Sequence, residues 1–335
     1  MGEEPGASTT ENGVDDDIED SDESEAEPTG RAAAQLGVSL SPRSYGETDF
    51  VSFFELAAEM GSVVRWGGRW DDLAESDSGP GVVAGLAEQY DYDPVFEVNV
   101  FDASTGEAHR PLTEENREEY VYIASEFAAE HRPPYLGLGV EANILWENDP
   151  DEFDRFVQLF EATKAAVASV SPETTVSVGF QLERLRGLQG GLFGGENDPS
   201  LAAWDLIDRF PSADLVGFTT YPGLIYKAPD EIPDDYFDAI PAHVDRRVAI
   251  TETGWSAGTV ASGWESSEAE QAQFVERLLA DTAPLDLQLL LWSFMYDQAA
   301  VPPAFEGMSL RRDDGTPRPA WDDWTEAAAS AETDT

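Results

Sequence analysis

From residue 34 onward, eight short runs of apolar, β-prone residues recur along the chain, separated by helical patterns. The runs lie at 35–40, 62–66, 95–100, 135–140, 175–180, 215–220, 248–251 and 287–292. Several are apolar without alternation, as in the Leu-Leu-Leu-Trp that closes the last of them. A strand with one wet face alternates; a strand covered on both faces, as in a parallel sheet, does not. Between the runs, apolar residues return at helical spacing. Within 150–170 they are Phe153, Phe156, Val157, Phe160 and Val167, with Asp149 placed to cap the start. Within 268–279, Phe274, Leu278 and Leu279 share one side, and Thr113 is placed to open a helix that includes 117–131. The pattern is weakest between the sixth and seventh runs, where 234–240 is the segment assigned to a helix.

Strands alternating with helices close into a barrel or spread into a doubly wound open sheet. An open sheet of this kind ordinarily carries a phosphate-binding loop at its switch point. No Gly-x-Gly-x-x-Gly follows the first run, and the glycine-rich stretch 187–195 lacks the Gly-Lys-Ser/Thr ending of a phosphate loop. The chain of 335 residues is long enough for the roughly 250 residues of a barrel. The expected fold is therefore α/β, a single-domain (β/α)8 TIM barrel over residues 32–330.

Residues 1–31 are a different kind of sequence: acidic residues, Ser, Thr, Pro and Gly, with no base before Arg31. Such a segment has too little apolar surface to offset the entropy of ordering, so it is expected to be a disordered acidic tail. It has neither the basic start nor the apolar centre of a signal peptide. It resembles the tether that follows a cleaved export or lipid-anchor signal, which implies an extracellular or cell-surface protein, expected as a monomer.

Charge excludes further classes. The chain carries 68 Asp and Glu against 19 Lys and Arg, a net charge of -49, and its only lysines are Lys164 and Lys227. No basic stripe exists to neutralise phosphates, so nucleic acid is not an expected partner. Acids spread over the whole chain resemble the composition of halophilic archaeal proteins, where salt screens their mutual repulsion. There are no cysteines, and His109, His131 and His243 are far apart without metal-ligand spacing. That excludes thiolate chemistry and argues against zinc and Ser-His-Asp hydrolases. No apolar run approaches the length of a membrane span.

In a barrel of this kind the chemistry sits where strands end and loops begin. The fourth run exits on Glu141, followed by Ala142 and Asn143, and the seventh exits on Glu252. The sixth ends on Tyr221 and the eighth on Trp292. Two facing carboxyls suit glycosidic bond cleavage: one protonates the leaving oxygen, and the other attacks the anomeric carbon from roughly 5–5.5 Å away in retaining enzymes. A tryptophan face can carry a sugar ring, and a tyrosine hydroxyl can hold a carboxylate in place. In a chain this acidic a single acid at a strand end is commonplace, so the pair with its aromatic companions is the informative observation.

Those residues resemble the clan A, or 4/7, superfamily of retaining glycoside hydrolases. Gly-Val-Glu-Ala-Asn at 139–143 is similar to the family's Gly-Asn-Glu-x-Asn, and Ile-Thr-Glu-Thr-Gly-Trp at 250–255 is similar to its nucleophile segment. The stretch 217–223 with Tyr221, and 291–293 with Trp292, resemble its strand-six tyrosine and strand-eight tryptophan. Among its members the endo-β-1,4-galactanase-like enzymes are the most similar. The resemblance implies a carbohydrate substrate, no cofactor and no metal. It assigns Glu141 as acid and base, Glu252 as nucleophile, Tyr221 as orienting group and Trp292 as sugar platform. One position departs: the family's asparagine before the acid/base, which bonds the sugar 2-hydroxyl, is Val140. Asn143 is the residue nearest in sequence that offers an amide instead.

Further substrate-binding candidates stand at other strand ends. Arg65 and Trp66 end the second run, where an arginine can pair with the nucleophile. Asn99 and Asp102 flank the third, and Gln181 ends the fifth; each offers hydrogen bonds to sugar hydroxyls. Trp146 and Trp255 follow the fourth and seventh, and Glu97 is expected inside the barrel or under a helix. Three functions stay open at this point: a retaining O-glycosidase; a surface protein that binds saccharides without cleaving them, which Val140 favours; and, well behind, a metal-dependent barrel hydrolase, for which only carboxylates are available as ligands.

Overall fold

A computed structural model of the chain describes residues 34–75, 79–103, 105–298 and 301–333. The eight runs form eight parallel strands: β1 (Gln35–Ser39), β2 (Val63–Arg69), β3 (Asp93–Asn99), β4 (Tyr135–Gly137), β5 (Thr175–Gln181), β6 (Leu215–Thr220), β7 (Val248–Thr253) and β8 (Leu287–Trp292). Each pairs with the next, and β8 returns to β1 with Gly37 opposite Leu291, closing the barrel. The expected TIM barrel is the observed fold. The expected tail 1–31 lies outside the described residues.

Around the strands lie α1 (Glu47–Ala57), α2 (Gly79–Tyr90), α3 (Glu114–His131), α4 (Ala142–Asn148), α5 (Pro150–Val170), α6 (Leu182–Leu185), α7 (Ala239–His243), α8 (Glu268–Thr282) and α9 (Pro319–Thr333). The caps read from sequence are made. Thr113 accepts from Asn116 N, and Asp149 accepts from Glu152 N with Pro150 in the first turn. The helix expected at 234–240 is displaced. The ordered turn is Ala239–His243, because the preceding residues carry their apolar groups inward in turns, with Tyr236 and Phe237 buried. No helix among the described residues is long and apolar enough to cross a membrane.

Packing divides the strand side chains in two. Those facing the helices join the large core, among them Phe96, Val178, Phe218 and Ile250. Those facing the barrel axis form a small apolar floor of Val63, Val95, Tyr135, Leu215, Ala249, Leu289 and Leu291. Above that floor the lumen is polar and glycine-lined, which makes room for Arg65 and Glu97. A Cβ at Gly137 would lie 2.8 Å from Glu97 Cγ. On the outer side, a Cβ at Gly139 would lie 2.2 Å from the Phe156 ring of α5. Gly137 at the end of β4 and Gly139 just past it therefore serve the two layers, and the chain then runs through Val140 to Glu141.

Candidate active site

Glu141 stands at the end of β4 as the N-cap residue of α4, in left-handed backbone at φ 56°. That conformation costs a side-chain-bearing residue about 1–2 kcal/mol, and such strain concentrates at functional positions. Its Oε1 accepts from Thr219 Oγ1 at 2.7 Å. Thr219 belongs to β6 and is the ladder neighbour of Glu252 in β7. One threonine thus stands beside both acids, and both are half-buried at the same end of the barrel.

The aim of Glu252 depends on a register slip. Phe218 pairs with Ile250, but the next pair is Thr219 with Glu252, so Thr251 is passed over. Thr251 already faces the lumen, its methyl 3.4 Å from where a Cβ on Gly217 would be. Regular alternation would turn the following residue toward the helices; the bulge turns it into the mouth instead. There Glu252 Oε1 accepts from Arg65 Nη2 at 2.5 Å and Oε2 from the Tyr221 hydroxyl at 2.7 Å. Tyr221 shares a 2.7 Å hydrogen bond with Ser293 Oγ, just past β8.

Arg65 is itself held inside the lumen. Its Nε donates to Glu97 Oε2 and its Nη1 to Ser39 Oγ at 3.2 Å. Burial opposes the Arg65 charge, yet Glu252 and Glu97 together hold its pKa above the ordinary value. Burial pushes the Glu97 carboxyl up, against the pull of Arg65. Burial, with the Glu252 charge beside it, also raises the Tyr221 phenol far above its usual range, so it remains a neutral donor. The Glu141 carboxyl is pushed up to about 7, first by burial and then by the charge of Glu252. The two carboxyls at this mouth thus have different partners, Arg65 and Tyr221 for Glu252 and Thr219 for Glu141.

A further buried acid braces this arrangement. Glu183 Oε1 accepts from Thr220 Oγ1 at 2.8 Å, Tyr221 N at 2.8 Å and the Tyr236 hydroxyl at 2.6 Å. Its Oε2 accepts from Gln181 Nε2 at 2.7 Å. Thr219, Ser293 and Glu183 were not singled out from the sequence. Glu183 was findable, since it stands two residues beyond the fifth strand's last residue, under the same strand-exit rule that gave Glu141.

Several expected substrate contacts are corrected. Trp292 has no exposed surface; its ring packs against Phe274 and Trp324, and its N–H donates to Met308 O at 2.9 Å. It belongs to the core beneath α8 and α9 and offers no sugar platform. Trp255 is buried likewise, stacked on Phe274 with its N–H on Ser266 Oγ. Asn143 and Gln181 are spent on each other and on neighbours. Asn143 Nδ2 donates to Gln181 O, Gln181 N donates to Asn143 Oδ1, and Gln181 Oε1 accepts from Arg184 N. Both are buried, so neither presents a free amide to a ligand. Trp66 alternates outward from Arg65 and lies 6.4 Å from Phe96, away from the carboxyls. Asn99 is half-buried opposite Arg69 at the end of β3, and Trp146 on α4 keeps an exposed face.

No model of a protein family and no curated protein matches the chain. Solved structures do. The GH53 catalytic domain from Ignisphaera aggregans matches with a TM-score of 0.63 at 16% identity, over 89% of this chain and 97% of that one. The fold is that of glycoside hydrolase barrels. The exo-β-1,4-mannosidase Op5Man5 from Opitutaceae bacterium strain TAV5 matches at 0.62 and 15% identity, over 89% of this chain but 60% of its own length. The β-glycosidase BGL167 matches at 0.62 and 12% identity, over 91% and 98%. At such identities the likeness is one of fold, and the chemistry rests on the site.

Proposed function

We propose that this protein is a retaining O-glycoside hydrolase with Glu252 as nucleophile and Glu141 as general acid and base. The observation carrying this reading is the contrast between the two carboxyls. Glu252 has both oxygens gripped, by Arg65 and by Tyr221, whereas Glu141 has a single Thr219 hydroxyl and a pKa near that of a neutral-pH acid. In the first step a Glu252 oxygen bonds to the anomeric carbon as the glycosidic C–O bond breaks, and Glu141 passes its proton to the leaving oxygen. In the second, water attacks the same carbon, Glu141 takes the water's proton, and the bond to Glu252 breaks. The balance is glycoside plus water to sugar plus alcohol. Arg65 and Tyr221 place Glu252, and the fixed dipoles cost no reorganisation when charge moves.

Trapping with a panel of activated 2-deoxy-2-fluoro glycosides, in molar salt to screen the acidic surface, tests the assignment. Intact mass and peptide mapping are expected to show one sugar adduct, on Glu252. A second reading, capture of a saccharide without cleavage, is favoured by one position: Val140 is buried without a polar group, and Asn143 is already committed. A folded protein that binds oligosaccharide yet forms no adduct with any sugar selects that reading.

The raised pKa of Glu141 sets a pH dependence. As general acid it must be protonated, so kcat/KM on a substrate with a poor leaving group falls above about pH 7. The stability effect has the opposite sense from that of a salt-bridged acid. From pH 4.5 to about 7 the unfolded chain releases the Glu141 proton while the folded chain keeps it, so stability falls across that window. Glu141→Gln is therefore expected to lose the alkaline limb of activity and to gain Tm over the parent above pH 7. An alkaline limb that persists in Glu141→Gln assigns the acid to another residue.

A further inference from the structure

A concavity of about 430 Å3 lies beside β1 and β2. Leu40 and Gly67, at the C-terminal ends of β1 and β2, form part of its wall, so it lies at the barrel end that carries Glu141 and Glu252. Gly67 is a shared partition: a Cβ there would lie 3.1 Å from Arg65 Nη2, the atom that holds Glu252. The remaining walls are Tyr45 and Phe50 at the entry to α1, Trp66, and Gly79 and Val82 of α2.

Trp66 is built into this pocket. A Cβ at Gly68 would lie 2.4 Å from the indole ring, and one at Gly79 would lie 3.2 Å from its Nε1, so two glycines make the slot that holds it. The residue is 7% exposed, yet its N–H has no hydrogen-bond partner among the described residues. Trp255, Trp292 and Trp324 donate theirs, whereas Trp70 has a fully buried N–H without a partner among the described residues. A donor that the protein does not use is available to an acceptor oxygen in the pocket. Tyr45, by contrast, is an exposed ring at the rim, 69% accessible. In a chain with 68 acidic residues, none of the described residues that line the pocket is charged.

Those features specify a ligand. Aromatic and aliphatic walls take the C–H face of a ring, a single N–H takes an acceptor oxygen, and the volume suits a unit the size of a sugar. With no base among the described wall residues and a net charge of -49 on the chain, an anionic ligand is disfavoured. We propose that this pocket is a subsite for one uncharged pyranose of a glycan chain, bound by the Trp66 N–H and the Tyr45 and Phe50 rings. That the same chain is the one cleaved rests on the glycosidase reading; that the pocket binds it does not.

The test is calorimetry in molar salt on the full chain carrying Glu252→Gln, which prevents turnover. The probes are the β-1,4-linked tetrasaccharides of glucose, mannose and galactose, and tetragalacturonate. At least one neutral tetrasaccharide is expected to bind, and Tyr45→Ala and Trp66→Phe are each expected to weaken it about tenfold. Tetragalacturonate is expected not to bind. Tyr45 is exposed, so its replacement keeps the test valid if Trp66→Phe fails to fold. Tightest binding of tetragalacturonate, no binding of any neutral tetrasaccharide, or an affinity unmoved in Tyr45→Ala each overturns the subsite. Tyr45-dependent binding in a chain whose Glu252 never labels leaves the subsite standing and removes the hydrolase.

Discussion

Replacing Glu252 by alanine is expected to lower kcat on an activated aryl glycoside by at least about 10^4-fold, the scale on which enzymes lose rate when a nucleophile is removed. The fold should survive, because Glu252 is half-buried at the mouth and its absence leaves a water-accessible gap. The consequences for its partners are specific. Arg65 keeps Glu97 and Ser39, and Tyr221 keeps Ser293, so neither donor is stranded. The vacated space lies beside the anomeric carbon, where a small external anion can take the carboxylate's role. Added azide is therefore expected to restore rate on the activated substrate and to yield a glycosyl azide of inverted configuration. A glycosyl azide of inverted configuration from the Glu141 variant, with none from Glu252→Ala, exchanges the two assigned roles, whereas a retained azide from the Glu141 variant fits them. Full activity without Glu252 removes the mechanism.

The second large effect concerns stability. Arg65→Met is expected to destabilise the fold by about 3–5 kcal/mol, the usual consequence of breaking a buried ion pair from one side. Arg65 is the partner of Glu97 deep in the lumen, where Gly137 leaves room for that acid and where water has little access. With Arg65 gone, Glu97 must take up a proton or stay charged without compensation. The pair exchanged whole, Arg65→Met with Glu97→Leu, should recover most of that loss, because a buried pair is often no more stable than well-packed apolar residues of similar size. Neither variant is expected to recover activity, since both leave Glu252 Oε1 without its guanidinium donor. Urea unfolding in molar salt reads the stability, and a loss below 1 kcal/mol for Arg65→Met shows that the lumen pair is not closely coupled to the fold. The contrast between restored stability and absent activity separates the structural part of Arg65 from its functional part.

Local signals carried the element plan. Apolar runs of strand length placed all eight strands, two of them, Leu215–Thr220 and Leu287–Trp292, with the same ends as observed. A 3.6-residue spacing and an aspartate before a proline placed Pro150–Val170, because caps and amphipathic stripes are made by neighbours in sequence. Strand-exit position brought Glu141, Glu252, Tyr221 and Arg65 into view, since a parallel barrel puts every strand's C-terminal end on one face. What sequence could not supply was the direction of individual side chains. Trp292 ends its strand as a platform tryptophan would, yet it turns outward to Phe274 and Trp324, which follow or precede it by many residues. Asn143 looks like a free amide and is committed to the backbone of β5, 38 residues away. Glu252 faces the mouth because a one-residue slip against β6 breaks its alternation, and Thr219 joins it to Glu141 across three strands. Periodicity is written in a residue's near neighbours; facing is decided by register, bulges and the glycines of other strands, so only the closed barrel determined it.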